Sequence, residues 1–469
     1  MRRTRKRKGT QEENMKMPGA DRRTSGEAAE ARVARRFAYG FTEDLGSGDV
    51  LALCGGKGSG LMRMRRLGLP VPEGFIITTE ACAAYIESGE LPEGLMAEVM
   101  DYLARLEEET GRGFGDPENP LLVSVRSGAP VSMPGMMDTV LNLGLNDEAV
   151  RGLAERTGDE RFAYDSYRRF IQAFGEIVLK VPGHLFEEAI EEAKGRRGVE
   201  ADTELSAEDL KELTDRFKTI ISERSEDEFP DDPVKQLELA IKAVFDSWLG
   251  ARAAAYRREY DIPETLGTAV TVQRMVFGNM GETSATGVAF TRNPATGEQG
   301  VFGEFLLNAQ GEDVVAGIRT PRPLREMERV LPNAYHQFLE TAGKLEREFR
   351  DMQDVEFTVE QDKLYMLQTR SGKRTAEAAL KIARDMAEEG LISHDEAIMR
   401  VEPASLDQLL HPRVDPQAEL EVLTKGLPAS PGAATGKTVL TAVEAKERAG
   451  AGRLCSWCAG RPTRTTSRA

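Results

Sequence analysis

LLVSVRSGAPVSMPGMMDTVLNLGL, residues 121–145, sets an apolar run ending in Arg126 against a Gly/Pro/Ser/Met loop that closes on Asp138. The run reads as a buried strand and the loop as its exit into a second strand. A guanidinium offers a fixed fork of donors to phosphate oxygens, and Gly128 and Gly135 let backbone amides come close enough to join in. The layout suits gripping a polyphosphate. Taken alone it reads more simply as an ordinary strand and turn, so its neighbours decide.

Upstream, DVLALCGGKGSGLMRMRRL (residues 49–67) predicts a strand over Asp49–Cys54, a loop over Gly55–Gly60 and a helix over Leu61–Leu67, ended by Pro70 and Pro72. Lys57 then sits in a glycine-rich turn, as a phosphate-binding lysine or as a surface side chain. Downstream, DVEFTVEQDKLYMLQTR (residues 354–370) predicts a hairpin. Val355, Phe357 and Val359 alternate on one face, so Asp354 and Glu356 share the other. A three-residue loop over Gln361–Lys363 adds Tyr365 and Leu367 to the apolar face, with Gln368 opposite Glu356 and Arg370 opposite Asp354. Two adjacent carboxylates repel unless a cation neutralises them, which favours a magnesium site over a simple Asp354–Arg370 salt bridge.

The 469 residues carry 40% apolar side chains and a net charge of −16, enough for about three domains of mixed α/β (α+β) type. The acidic balance argues against a general nucleic-acid binder, leaving nucleotides, which need only a local basic pocket. No apolar run is long enough to span a membrane and no signal-peptide core is present, so no membrane partner is expected and the cytoplasm is the default. Four cysteines make no disulfide framework. Residues 1–36, with six Lys or Arg among the first eight, read as a disordered basic tail.

Helical patterns dominate residues 147–260, at Glu187–Lys194, Ser206–Ser225 and Asp232–Tyr260, with acidic solvent faces. Residues 268–320 turn to short strands, with turns at Gly278-Asn279 and Asn293-Pro294. Gln273 to Val276 either edge a nucleobase or form a buried strand with one solvent-facing Gln. Residues 375–425 read as a helical linker. A new unit opens at 426–450 with GLPASPGAATGKTVL, and 451–469, free of Asp and Glu and without periodicity, has the composition of a shifted reading frame or truncated gene. Cys455 and Cys458 form a lone CxxC, too little for a metal or redox motif.

Over residues 37–450 the chain resembles the pyruvate, phosphate dikinase family. The resemblance rests on GGKGSGL (55–61), VRSGAPVSMPGMMDTVLNLGLN (125–146), GTAVTVQRMVFGNMGETSATGVAFTRNPATGE (267–298), GEFLLNAQGEDVVAGIRTP (303–321) and DVEFTVEQDKLYMLQTRSGKRTAEAALKIA (354–383). It implies an ATP-grasp-like nucleotide-binding domain over 37–374, then the start of a swivelling phosphohistidine domain. The implied reaction converts ATP, phosphate and pyruvate to AMP, diphosphate and phosphoenolpyruvate. By position, Lys57 and Arg126 match the phosphate-gripping pair. Residues Ser132–Thr139 match a flexible flap with Gly135 as pivot and Met137 in its lid. Asp354 and Glu356 match the magnesium-binding acids, Gln368 the glutamine after them, and Arg370 follows in the same motif. The family's carrier histidine lies in a Thr-Ser-His-Ala stretch that this sequence lacks; His184, His336, His394 and His411 stand in helical or linker contexts. The chain alone is therefore expected not to complete the cycle, and pyruvate and the family's homodimer depend on the missing C-terminal part. A silent nucleotide-binding fragment, half of a split enzyme, another ATP-grasp ligase and a phosphoenolpyruvate synthase relative are the competing readings.

Overall fold

The computed structural model describes residues 36–403 except 47, 134, 317 and 318, together with 406, 436–452 and 455–457. The expected basic tail before Arg36 and the stretch 407–435, including the end of the linker and the opening of the phosphohistidine unit, lie outside the described residues, as does Cys458.

Two five-stranded antiparallel sheets carry the fold. The first runs β1 (Ala38–Gly40), β2 (Gly74–Ile77), β5 (Ala269–Arg274), β3 (Val123–Gly128), β4 (Thr139–Leu143). The second runs β10 (Lys363–Ser371), β9 (Gln353–Glu360), β6 (Ala285–Arg292), β7 (Gln299–Leu307), β8 (Arg322–Pro323). Helices α1 (Val50–Arg66), α2 (Thr79–Ser88) and α3 (Leu95–Thr110) belong to the first half of the chain. The expected helical region holds α4 (Ala149–Thr157), α5 (Glu160–Ile177), α6 (His184–Arg197), α7 (Ala207–Arg224), α8 (Pro233–Leu249) and α9 (Ala251–Glu259). Ser206 and Asp232 cap α7 and α8 through their side chains, and Gly250 divides what the sequence suggested as one helix to Tyr260. After β7 come α10 (Gly311–Ala316), α11 (Met327–Val330), α12 (Pro332–Phe349), α13 (Ala376–Glu388) and α14 (His394–Met399). Near the end, β11 (Lys437–Val439), α15 (Ala442–Gly450) and β12 (Cys455–Trp457) form a parallel strand–helix–strand unit, so part of the stretch read as aperiodic is ordered. Among the described residues no helix is long and apolar enough to cross a membrane.

The strand and loop expected over Asp49–Gly60 are instead helix. Asp49 accepts from the amides of Leu51 and Ala52, a helix start that the apolar run concealed. The glycines serve contact rather than looping. Gly55 breaks the helix with φ 66° and ψ 173°, a region essentially restricted to glycine. A Cβ there would lie 1.7 Å from the Gly128 carbonyl oxygen. A Cβ at Gly58 would meet Ile76 of β2 at 2.9 Å, and one at Gly60 the Thr369 carbonyl of β10 at 3.2 Å. Helix α1 is thus wedged against both sheets, and Leu61, Met62 and Met64 share a core with Ile76 on one side and Phe357 and Met366 on the other.

The β9–β10 hairpin also departs from expectation in its turn. Its loop is two residues, Gln361 and Asp362, with φ 49° and 63°, the signature of a type I′ turn. The turn is pinned from outside: Gln361 N donates to Ser284 Oγ at 3.1 Å and Asp362 N to the Thr283 carbonyl at 2.8 Å. Leu364 and Met366, not Tyr365 and Leu367, therefore join Val355, Phe357 and Val359 in the core. A bulge at Leu367 then shifts the register by one, which brings Gln368 opposite Glu356 and Arg370 opposite Asp354 as expected.

Replacing Gly55 by alanine adds the cost of a glycine-only backbone to a clash with a main-chain carbonyl. A loss of roughly 3 kcal/mol or more is expected in urea unfolding. An unfolding midpoint equal to the parent's would show that the Gly55–Gly128 contact is not required.

Candidate functional site

The two sheets meet in a charged cleft. From the first sheet, Arg126 at the end of β3 sends Nη2 to Glu356 Oε2 at 3.3 Å and Nη1 to the Leu367 carbonyl at 3.3 Å. The bulge that sets the hairpin's register therefore also turns a carbonyl toward Arg126. On the second sheet Arg370 Nε donates to Asp354 Oδ2 at 2.7 Å. Lys57, carried by α1 just past the Gly55 break, donates through Nζ to the Ser127 carbonyl at 2.9 Å. This placement follows from the glycine contact, because Gly56 N donates to the Ala129 carbonyl at 2.9 Å and holds α1 against the strand end.

Burial lowers the Lys57 ammonium to about 7 from its ordinary 10.5, with Arg126 and Arg370 pushing the same way and Glu356 opposing. The Asp354 carboxyl is raised by burial; Arg370 pulls it down and Glu356 adds to the rise. Burial also pushes the thiols of Cys54 and Cys82 up, to about 12 and about 11, so neither is an activated nucleophile.

The structure thus gathers Lys57, Arg126, Asp354, Glu356 and Arg370, and the hairpin register places Gln368 beside Glu356. It does not gather the loop residues with them: Gly135 is exposed at φ 70°, and Met137 packs in an apolar cluster with Trp248. Gln273 is buried, and its Nε2 donates to the Pro72 carbonyl at 3.0 Å, so the solvent-facing glutamine of the sequence reading is a structural one. Sequence reasoning missed the carbonyls of Ser127 and Leu367, which carry no side-chain signal. It also missed Arg252, whose Nη2 reaches Asp138 Oδ1 at 3.4 Å.

Among the described residues no three His, Cys, Asp or Glu side chains converge as a self-sufficient metal site. Asp354 and Glu356 supply two hard oxygen donors on one strand face, and each is bonded to its arginine through a single carboxylate oxygen. That donor set fits a magnesium ion held by one or two carboxylates and completed by substrate phosphates.

Two sheets with lysine and arginine converging on an acidic pair define a nucleotide-binding domain of the ATP-grasp kind. The family described as "Pyruvate phosphate dikinase, AMP/ATP-binding domain" matches residues 51–101, 84–325 and 323–391, and the chain belongs to that family. Pyruvate, phosphate dikinase of Clostridium symbiosum is 56% identical over 415 residues, 88% of this chain and 47% of that protein. The enzyme of that name from Rhizobium meliloti (strain 1021) is 55% identical over 430 residues, 89% of this chain and 48% of its own length. The chloroplastic pyruvate, phosphate dikinase 1 of Arabidopsis thaliana is 55% identical over 422 residues, 89% and 44% of the two chains. The chain spans about half the length of the curated relatives it matches.

The depressed Lys57 sets a pH dependence. Between about 7 and 10.5 the unfolded chain holds a proton that the folded chain has released, so this group's contribution makes stability rise with pH across that window and fall as pH drops toward 7. Lys57→Met removes that slope. Its unfolding free energy relative to the parent should therefore decline steadily as denaturant titrations move up through the window. Parallel pH profiles for parent and variant would mean that Lys57 titrates normally.

Proposed function

We propose that this chain is the ATP- and magnesium-binding portion of a pyruvate, phosphate dikinase, gripping the nucleotide's phosphates with Lys57, Arg126 and Arg370. The observation that carries the reading is the convergence of these cations, from three separate elements, on Asp354 and Glu356. Phosphoryl transfer asks the protein mainly for positioning and charge neutralisation, which lysine, arginine and acid-held magnesium supply. Magnesium, when bound by Asp354 and Glu356, would neutralise phosphate charge. Gln368 lies opposite Glu356 in the hairpin, where its amide would bond a phosphate oxygen. The loop bearing Gly135 and Met137 closes over the phosphates.

Within this reading the acids hold Arg126 and Arg370 in place until a polyanion arrives. Lys57, poised near neutrality, takes up a proton when phosphate oxygens replace the Ser127 carbonyl. The whole cycle, from ATP, phosphate and pyruvate to AMP, diphosphate and phosphoenolpyruvate, requires a histidine carrier and a pyruvate site. The family resemblance implies both, and the dimer, in the part of the relatives that this chain does not span. The nucleotide step is assigned to the cytoplasm.

Calorimetric titration with a nonhydrolysable ATP analogue, with and without Mg²⁺, tests the reading. Magnesium-dependent binding is expected, and Arg126→Ala should weaken it by about 1.5–3 kcal/mol, the worth of a charge-assisted contact. Affinity unchanged in that variant would take Arg126 out of the site. Above pH 7, titrations in buffers of different ionisation enthalpy should also register proton uptake on binding. Heats independent of the buffer would rule out Lys57 as the group that charges.

A further inference from the structure

The loop that leaves Arg126 rests on a prepared surface. Met133, Met136 and Met137 share an apolar cluster with Trp248 at the end of α8, Ala253 of α9 and Ile262. Trp248 is fully buried and fixed by other groups. Its Nε1 donates to the Glu264 carbonyl at 2.9 Å, and the guanidinium of Arg257 lies 4.3 Å from its ring. Arg257, itself 2% exposed, donates to the Trp248 carbonyl. The α8–α9 corner is therefore rigid whether or not the loop lies on it.

The loop is held far more weakly. Its apolar grip is flexible thioether side chains. Gly56 N holds the Ala129 carbonyl at the loop's root, and beyond it, among the described residues, an ion pair from half-exposed Arg252 holds Asp138. Val131, Ser132 and Gly135 are exposed. The end of the loop is tied to the charged cleft, because Ser127 N donates to the Asp138 carbonyl at 3.4 Å while the Ser127 carbonyl holds Lys57. A rigid seat thus carries a weakly held loop whose end is linked through Ser127 to Lys57.

We propose that the α8–α9 corner is a parking seat for this loop, and that Arg252 is a positioning residue that sets how often the loop leaves Trp248 to cover bound phosphates. The proposal rests on the nucleotide reading above. It adds that nucleotide and seat compete for the same loop, so binding empties the seat and exposes the indole.

Trp457→Phe leaves Trp248 as the sole tryptophan of the two in the chain, a direct reporter of the seat. Its emission and acrylamide quenching are measured with and without the nonhydrolysable ATP analogue and Mg²⁺, alongside calorimetry on the same sample. The analogue should shift emission to the red and raise quenching. Arg252→Ala should raise ligand-free quenching roughly two- to fivefold, the scale of losing an exposed ion pair, and Arg252→Lys should restore most of the difference. Binding heat with unchanged Trp248 emission and quenching would overturn the seat while leaving the nucleotide reading intact. Unaltered ligand-free quenching in Arg252→Ala would overturn the role of Arg252. Absence of binding heat would overturn the nucleotide reading and the competition built on it, while Arg252→Ala would still decide the role of Arg252 in holding the loop on Trp248.

Discussion

The rest of the site depends on a contact between two backbones. Gly55 lies so close to Gly128 that no side chain fits between them, and its φ of 66° with ψ of 173° suits no other residue without strain. Because the two main chains touch there, the start of the helical run after Gly55 is fixed against the end of β3. Lys57, two residues on, lands on the Ser127 carbonyl beside Arg126. Gly58 and Gly60 extend the same logic, letting α1 lie close to β2 and to β10 in turn. One glycine-rich helix thereby sets the spacing between the sheets as well as the position of the lysine.

That spacing governs the electrostatics. Three cationic and two acidic side chains crowd a partly buried cleft, and unpaired charge in such surroundings is costly. Arg126 and Arg370 each find a carboxylate, and Arg126 and Lys57 also find main-chain carbonyls. Lys57, buried and bonded to no carboxylate among the described residues, responds by losing proton affinity. The arrangement is balanced without a ligand yet short of one anion, which is the condition in which a polyphosphate gains most from entering.

Much of this was legible in the sequence, for identifiable reasons. Period-two alternation placed Asp354, Glu356, Gln368 and Arg370 on one face, although the assumed three-residue loop was wrong; a two-residue turn followed by a bulge at Leu367 reaches the same pairing. Capping residues gave α7 and α8 their starts. GGKG misled because glycine marks both flexible turns and close packing, and only the partner across the contact tells them apart. The pairing of Asp138 with Arg252 was out of reach, since 114 residues separate them and neither lies in a periodic pattern that implies the other.

The bulge shows why the hairpin is not built in the simpler way. A three-residue loop would pair the same four polar side chains but leave Leu367 an ordinary strand residue, its carbonyl committed to the ladder or turned along it. With the bulge, Leu367 has no partner opposite, and its carbonyl is taken up by Arg126 from the other sheet. Arg126 is thus held by a main-chain oxygen as well as by Glu356, and stays aimed into the cleft if Glu356 turns toward a metal ion. A guanidinium that depended on Glu356 alone would have to be re-placed each time the carboxylate changed partners. Local irregularity in one strand therefore supplies rigidity to a charged cleft shared between two sheets.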